Sequence, residues 1–318
     1  MIAGMGNPVY DLIKTPHTRV EERILSGCST NACIVSAQLG TDTVLVGCVG
    51  EDFKAKTEQI LSSFGVTPLL YPSQETGGFS LDYDDAGNRE LKVIGRADSI
   101  KEIPEIIFTA DVALFGPILQ EIDPSLVRLF SGKNPLLFCD PQGFLRDITN
   151  QKITHLFFHS FREILPLFDV IKPNELEAYI MTGEHAFENP QKVMETLYSY
   201  GPSIVIVTLA EKGSLIYDGS ELLEIPAFRT HAKDPTGAGD TYAAGFIREY
   251  LRSGDLYEAG LFASCTASLW VEGIGPYIDI TEEKVKERVE LLKNKELKKF
   301  EKNELERSSA SKGELSHQ

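Results

Sequence analysis

The stretch of the chain best suited to chemistry is a run of small residues that ends in a carboxylate, Asp234-Pro235-Thr236-Gly237-Ala238-Gly239-Asp240-Thr241. A helix of small and apolar residues is predicted to begin at once. The first N–H groups of a helix have no intrahelical acceptor and lie at the positive end of its dipole. Because glycine has no Cβ, a phosphate can approach the backbone of Gly237, Ala238 and Gly239 closely.

Asp240 does not fit a simple phosphate site, because its carboxylate repels a bound anion. Its position is explained if the side chain contacts an attacking nucleophile instead of the phosphate. The alternative is that Asp240 only caps the helix N-terminus, which is a frequent role of aspartate. These residues alone leave both interpretations open.

The elements that must position this stretch follow from the hydrophobic pattern. From residue 107 onward strand-like runs at 111–115, 136–139, 169–171 and 203–208 alternate with helical patterns around 123–131, 155–165, 175–182 and 190–200. This alternation predicts a mostly parallel sheet covered by helices on both faces. In such sheets ligands bind at the carboxyl ends of the strands, so the motifs that follow strands can converge there.

Two polar motifs follow predicted strands. Cys139-Asp140-Pro141-Gln142-Gly143-Phe144-Leu145-Arg146 closes one strand with a turn that accounts for its Pro and Gly, but not for Gln142 and Arg146. A surface ion pair is an equal explanation for Arg146. After the strand at 169–171, Asn174 is a predicted helix N-cap, and Glu177 three residues later completes a capping box.

The glycine run resembles the C-terminal signature of the ribokinase (PfkB) family of carbohydrate and nucleoside kinases. A second motif, Ser26-Gly27-Cys28-Ser29-Thr30-Asn31-Ala32, resembles the N-terminal signature of that family, with Ser26 in place of its first glycine. The resemblance covers roughly residues 1–285. It implies a ribokinase-like three-layer α/β sandwich with a mostly parallel sheet and a small β-sheet lid.

The resemblance also implies a division of the chain. Residues 1–290 would form the kinase domain, with lid strands from about 8–25 and 66–95 and a hairpin turn at 84–88. Residues 291–318 would form a charged C-terminal tail, partly disordered. The lid strands offer an edge through which a homodimer could pair.

Each motif then takes the role of its family counterpart. Asp240 is the expected catalytic base, and the backbone of Gly237, Ala238 and Gly239 is expected to stabilise developing charge. The expected substrate-binding residues are Asp11, Gly27, Asn31, Gln142 and Arg146, the last two in a segment similar to small archaeal members that include kinases of myo-inositol. The expected nucleotide-side residues are Asn174, Glu177, Thr208, Gly213 and Gly275, although Ala210 stands where the family has a glycine.

Two ions are implied as well, in addition to ATP. Glu177 is expected to act on Mg²⁺ through water, which suits an ion that keeps several waters and needs only one or two carboxylates. Such a role is compatible with the capping box. Asp234 stands where some relatives bind a monovalent cation, which makes K⁺ a second candidate ion.

Composition excludes several other classes. A formal net charge of −16 argues against a nucleic-acid or anionic-membrane partner. Five scattered cysteines without CxxC spacing indicate reduced thiols, and neither a signal peptide nor an apolar run of 18 residues is found. We therefore expect a cytoplasmic protein. Gly4-Met5-Gly6 lacks the third glycine and the helix start of a dinucleotide-binding fold, so a dehydrogenase is a distant alternative.

The sequence thus predicts an ATP-dependent kinase that acts on a hydroxyl of a sugar or cyclic polyol. A nucleoside kinase is the alternative within this class, with Phe79, Tyr83, Phe115 and Phe144 available to stack on a base. From another class, the chain could be a non-catalytic nucleotide or sugar sensor. The intact Asp240 and the two glycines that precede it argue against that alternative.

Overall fold

The computed structural model describes residues 1–14, 22–83, 89–149 and 152–295. The predicted hairpin turn at 84–88 and the tail beyond residue 295 lie outside these residues. The strands, numbered along the chain, are β1 (Ile2–Met5), β2 (Val9–Lys14), β3 (Ile24–Ser26), β4 (Thr43–Gly50), β5 (Val66–Ser73), β6 (Gly77–Tyr83), β7 (Arg89–Gly95), β8 (Val112–Phe115), β9 (Leu136–Cys139), β10 (Arg146–Thr149), β11 (Lys152–His155), β12 (Val170–Ile171), β13 (Ile204–Thr208), β14 (Ser214–Tyr217) and β15 (Leu222–Ile225).

The helices connect these strands and cover the sheet. They are α1 (Cys28–Gln38), α2 (Lys54–Ser63), α3 (Pro124–Arg128), α4 (His159–Arg162), α5 (Glu175–Thr182), α6 (Pro190–Tyr198), α7 (Ala238–Ser253) and α8 (Leu256–Trp270), followed by α9 (282–295). No helix within the described ranges combines the length and the apolar character needed to cross a membrane.

One large sheet forms the centre of the molecule. In the described residues it contains nine strands in the order β15-β14-β13-β12-β9-β8-β1-β4-β5. The strands from β13 to β5 pair in parallel, whereas β14 and β15 are antiparallel. The predicted parallel sheet is therefore confirmed, with an antiparallel hairpin at one edge.

Alternate residues of the central strands pack against helices on opposite faces of the sheet. In β8, Ala113 and Phe115 join the cluster that contains residues of α5 and α6, whereas Val112 and Leu114 join the cluster of α7 and α8. All four side chains are at most 1% exposed. Both faces are thus buried under helices, and the predicted three-layer α/β sandwich is confirmed.

A second, smaller sheet lies over one end of the central sheet, in the order β3-β2-β6-β7. Our expectation that strands between 66 and 95 belong to this sheet needs one correction. β5 pairs in parallel with β4 along its full length, from Thr43↔Val66 to Gly50↔Ser73, and is the edge strand of the central sheet. Most of its residues are only half-buried, as in a strand at the edge of a sheet, so the sequence pattern did not identify the sheet to which it belongs.

Candidate active site

A large cavity opens where the carboxyl ends of the central strands meet the start of α7. Its volume is about 990 Å³, and its lining includes the residues that directly follow β9 and β12, Asp140 and Lys172. The last residue of β13, Thr208, and the first turn of α7 line it as well. The cavity lies at the upper end of the size range of small-molecule sites, which suits two ligands held side by side.

The start of α7 has a backbone conformation that requires glycine. Gly237 has φ 82° and ψ 0°, in the left-handed region. A Cβ at this position would lie 2.8 Å from Trp270 Nε1 and 2.9 Å from Asn31 Nδ2. Of the three predicted anion-binding N–H groups, that of Ala238 donates to the Pro235 carbonyl at 3.2 Å. That N–H is therefore used within the turn, and a phosphate would be bound by the neighbouring N–H groups at the start of the helix.

Asp240 lines the cavity from the first turn of α7, and its carboxylate is oriented by α1. Asn31 Nδ2 donates to Asp240 Oδ2 at 2.9 Å. Burial and the nearby charge of Asp140 raise the pKa of Asp240, although the Asn31 hydrogen bond opposes the change. A carboxylate with a raised pKa binds protons more strongly than an ordinary aspartate. Asn31, predicted to bind substrate, is 3% exposed and does not line the cavity; its amide instead holds Asp240.

A buried ion pair lies beside Asp240. Lys172 Nζ is 2.8 Å from Asp140 Oδ2, with the two side chains 3% and 5% exposed. Cys28 Sγ and carboxylate oxygens of Asp140 and Asp240 all lie within 4.8 Å of one another. Burial, helped by both carboxylates, raises the pKa of the Cys28 thiol well above its ordinary value, so the sulfur stays protonated.

The sequence analysis did not select Asp140 or Lys172. Each stands two residues before a predicted site residue, Gln142 and Asn174 respectively, and each directly follows a central strand. That position at a strand end was the signal that could have identified them.

The predicted capping box at the start of α5 is present. The Asn174 side chain accepts from Glu177 N, and the Glu177 carboxylate accepts from Asn174 N, both at 2.9 Å. Glu177 is 6% exposed and still lines the cavity. Burial, followed by the charge of Asp140, raises its pKa from 4.5 to about 7.

One end of the cavity combines polar groups with an apolar wall. Asp11, Gly27, Gln142 and Arg146, all predicted to bind substrate, line this end. The Arg146 guanidinium donates to Gln142 Oε1 and to the Ile118 carbonyl. The wall consists of side chains of the small sheet and the loop after β8, Val9, Phe79, Leu81, Leu91 and Ile118.

The opposite end of the cavity lies between the β13–β14 loop and α8. Thr208 and Gly213 line it, as predicted for the nucleotide side. Gly213 has φ 102°, and a Cβ there would lie 2.0 Å from the Ile225 carbonyl oxygen. Ala210, which replaces a family glycine, keeps the left-handed conformation with φ 51°. The alanine therefore preserves the backbone path of the turn at a cost in strain of about 1–2 kcal/mol.

Two predicted residues lie away from the cavity lining. Gly275 is in a loop where a Cβ would contact Ile24 of β3, so it faces the small sheet. Asp234 does not line the cavity either, and its Oδ1 accepts from Thr236 N at 2.9 Å. The order of the motifs along the chain placed both residues near the site, but neither of them lines the cavity.

The floor of the cavity has the chemistry to accept a divalent metal together with phosphates. It carries three carboxylates, Asp140, Glu177 and Asp240, against two cations, Lys172 and Arg146. Hard divalent ions bind oxygen ligands and can keep most of their waters. Glu177 is not among the groups whose ligand atoms lie within 4.8 Å of one another, so it could act on such an ion only through the waters of the ion.

Comparison with known proteins agrees with this arrangement. The profile of the pfkB family carbohydrate kinases matches residues 19–283. The nucleoside kinase of Methanocaldococcus jannaschii is 26% identical over 289 residues, 86% of this chain and 90% of that protein. The inositol 3-kinase of Arabidopsis thaliana is 28% identical over 302 residues, 90% and 78% of the two chains. A pyrophosphate-dependent kinase of the ribokinase family, solved with a pyrophosphate analog and myo-inositol, has the same fold, with a TM-score of 0.75 at 23% identity over 90% of this chain and 99% of that one.

Proposed function

The chain belongs to the PfkB family of carbohydrate kinases, whose members transfer a phosphoryl group to a hydroxyl, and from that premise we propose that it transfers the γ-phosphoryl of ATP to a sugar or cyclic polyol. The observation that carries the proposal is the position of Asp240. Its carboxylate lies at the anion-binding start of α7 and faces the cavity, with a pKa raised by burial and by Asp140.

Asp240 acts as the base in this scheme. Its carboxylate accepts the proton of the acceptor hydroxyl while that oxygen forms a bond to the γ-phosphorus. The bond from the γ-phosphorus to the bridging oxygen breaks, and its electron pair leaves with ADP. Asn31 holds the carboxylate in place at 2.9 Å throughout. N–H groups of the first turn of α7, with the glycine conformation of Gly237, stabilise the charge on the transferred group.

The other predicted residues bind and orient the two substrates. Thr208 and Gly213 line the donor end, and Glu177 and Asn174 lie between it and the acceptor end. A Mg²⁺ ion bound with the donor would neutralise phosphate charge, and Glu177 would hold its water ligands. For a monovalent cation such as K⁺ we retain Asp234 as the candidate ligand.

The acceptor is inferred from the end of the cavity near the small sheet. Asp11 and Gln142 offer hydrogen-bond acceptors and Arg146 offers donors, which together suit several hydroxyl groups. Leu81 and Leu91 are directly paired across β6 and β7 and form an apolar wall opposite. A ring with hydroxyls on its rim and an apolar face, such as a sugar or a cyclic polyol, satisfies both surfaces.

A nucleoside is the second candidate acceptor. It is favoured by the similarity to the Methanocaldococcus jannaschii nucleoside kinase and by Phe79, which lines the acceptor end and could stack on a base. A nucleoside would have to contact both the polar groups at this end of the cavity and its apolar wall.

A donor-and-acceptor panel tests the proposal. Purified protein is incubated with Mg²⁺ and either ATP or pyrophosphate, together with single sugars, cyclic polyols or nucleosides, and the phosphorylated product is measured directly. We expect turnover with ATP and with a sugar or polyol. If only nucleosides are phosphorylated, the acceptor is a nucleoside and not a sugar or cyclic polyol. ATP binding without any turnover across the panel would favour a sensor and contradict the kinase assignment for this chain.

A further inference from the structure

The buried ion pair between Lys172 and Asp140 is not needed to explain the fold. Taking two charges out of water is costly, and a buried pair is often no more stabilising than apolar residues of the same volume. Yet both groups line the cavity, at the carboxyl ends of β12 and β9. Two buried charges at the centre of the site therefore point to a chemical role.

The position of the ammonium group points to that role. Lys172 Nζ lies 3.3 Å from the point that a Cβ on Gly239 would occupy, so it lies directly beside the anion-binding turn. The other lysine of the cavity lining, Lys212, is exposed, and its Nζ lies 3.4 Å from the ring centroid of Phe187. Of these two lysines, Lys172 is the one that combines burial with contact to the turn where the transferred group would lie.

Asp140 sets both the charge and the place of this ammonium. Burial alone would lower the pKa of Lys172, but the acidic groups around it, with Asp140 first among them, together outweigh burial and keep the pKa above its ordinary value. The pair uses one of three ammonium N–H donors, and within the described residues the lysine side chain makes no other hydrogen bond. Two donors can therefore be offered to a ligand without proton transfer.

We propose that Lys172 is a catalytic residue that donates hydrogen bonds to the phosphoryl group in flight, and that Asp140 is its positioning residue. This inference rests on the proposed kinase function. As the bond from the acceptor oxygen to phosphorus forms and the bond to the leaving oxygen breaks, negative charge accumulates on the phosphoryl oxygens and on ADP. A fixed ammonium in a water-poor site stabilises that charge and keeps its own proton.

The decisive experiment compares Lys172→Met with the double variant Asp140→Asn/Lys172→Met. The single variant leaves an unpaired buried carboxylate and should unfold at a lower temperature than the wild type. The double variant removes both charges and should recover most of that loss. Both should lose kcat by about 100- to 1,000-fold, with a change in the KM for ATP of less than about threefold. Lys54→Met, at a partly exposed lysine outside the cavity, should match the wild type.

A structural role predicts the opposite pattern. If the double variant recovers both stability and kcat, the pair serves only the fold and the inference is wrong. If Lys172→Met does not fold, the double variant alone is compared with the wild type, because it leaves neither charge of the Lys172–Asp140 pair without its partner.

A second readout is independent of the acceptor. Binding of MgADP with aluminium fluoride, which imitates a phosphoryl group in flight, is measured by calorimetry. Wild-type protein should bind MgADP more tightly with the fluoride, and both Lys172 variants should lose that gain. If the variants keep this gain in MgADP affinity, the role of Lys172 is contradicted, but the proposed kinase function is not. If the wild type shows no gain and no turnover in the panel, it is the kinase assignment that has failed.

Asp140→Asn by itself gives a pH signature. The titratable groups that face Lys172 are Asp140, Cys28, Cys139, Glu177, Asp240 and Tyr242. Without the carboxylate of Asp140, burial should dominate and the pKa of Lys172 should fall. The kcat of this variant should then decline at alkaline pH where that of the wild type does not. An unchanged alkaline limb would overturn the positioning role of Asp140.

Discussion

Replacing Glu177 by glutamine should stabilise the protein at alkaline pH and leave it unchanged at acidic pH. The carboxylate is 6% exposed, and burial and the charge of Asp140 raise its pKa from 4.5 to about 7. Between these two values the folded state binds a proton that the unfolded state releases. The free energy of unfolding of the wild type therefore falls as the pH rises through this window.

The size of the effect follows from that change in pKa. At about 1.4 kcal/mol per tenfold change in proton affinity, the ionised carboxylate costs the folded state about 3 kcal/mol above pH 7. The dipole of α5 favours a negative charge in its first turn by about 1 kcal/mol at most and acts in the other direction. We expect Glu177→Gln to exceed the wild type by about 2 kcal/mol at pH 8.5, and by close to nothing at pH 4.5.

The assay is urea unfolding followed by circular dichroism at several pH values, without nucleotide or divalent metal. Glu175→Gln is the matched control, because this glutamate lies in the same first turn of α5 and is only partly buried. The control removes the same interaction with the helix dipole without removing a buried charge. It should show no gain at alkaline pH.

Two results would refute this reasoning. If Glu177→Gln and the wild type respond equally to pH, the carboxylate is not held in its neutral form by burial. If the variant is less stable than the wild type at pH 8.5, the hydrogen bond from Asn174 N to the ionised carboxylate outweighs desolvation. Added Mg²⁺ should narrow the difference at pH 8.5, because a bound cation stabilises the ionised form.

Three further substitutions test the site. Asp240→Asn should lower kcat by at least about 1,000-fold with little change in ATP affinity by calorimetry, as expected for loss of a general base; near-normal turnover would make the residue only a helix cap. Gly237→Ala should lower the free energy of unfolding measured in urea by more than about 2 kcal/mol, because the added Cβ combines steric conflict with left-handed strain. Gly254→Ala is the control, since Gly254 has φ 68° and no atom within 4 Å of the added Cβ, and it should cost only about 1 kcal/mol. Equal costs for the two variants would show that close contact at Gly237 does not matter. Arg146→Lys should raise the KM for the acceptor about tenfold and leave the KM for ATP unchanged, because lysine cannot keep the forked contacts to Gln142 and the Ile118 carbonyl. An equal rise in the KM for ATP would show that Arg146 acts at the donor end of the cavity.

The central sheet and most helices could be predicted from the sequence, because their signals are local. The predicted helix at 175–182 and strand at 136–139 coincide with α5 and β9. The small sheet was less predictable, since two-residue alternation marks any strand with one wet face. β5 shares that pattern but pairs with β4, a choice made by hydrogen bonding between segments that are distant in sequence.

In the candidate site, too, local features could be predicted from the sequence, whereas contacts between distant residues could not. The capping box of Asn174 and Glu177 depends on residues three apart, so the sequence predicted it correctly. The contact of Asn31 with Asp240 joins residues 209 positions apart, so it could not be predicted from the sequence, where only a substrate-binding role was expected for that amide. Gly275 and Asp234 were placed near the ligands by motif order alone, and neither lines the cavity.

By itself the sequence determined the family, the sheet type and the glycine-rich helix start, because each of these is encoded in the types and spacing of neighbouring residues. Only the tertiary structure decided which charges meet. Asp140 and Lys172 are each unremarkable strand-end residues along the chain, yet parallel pairing of β9 with β12 brings them to 2.8 Å, with side chains that are 5% and 3% exposed. The strength of an electrostatic interaction depends on distance and burial, and neither quantity is present in the order of residues.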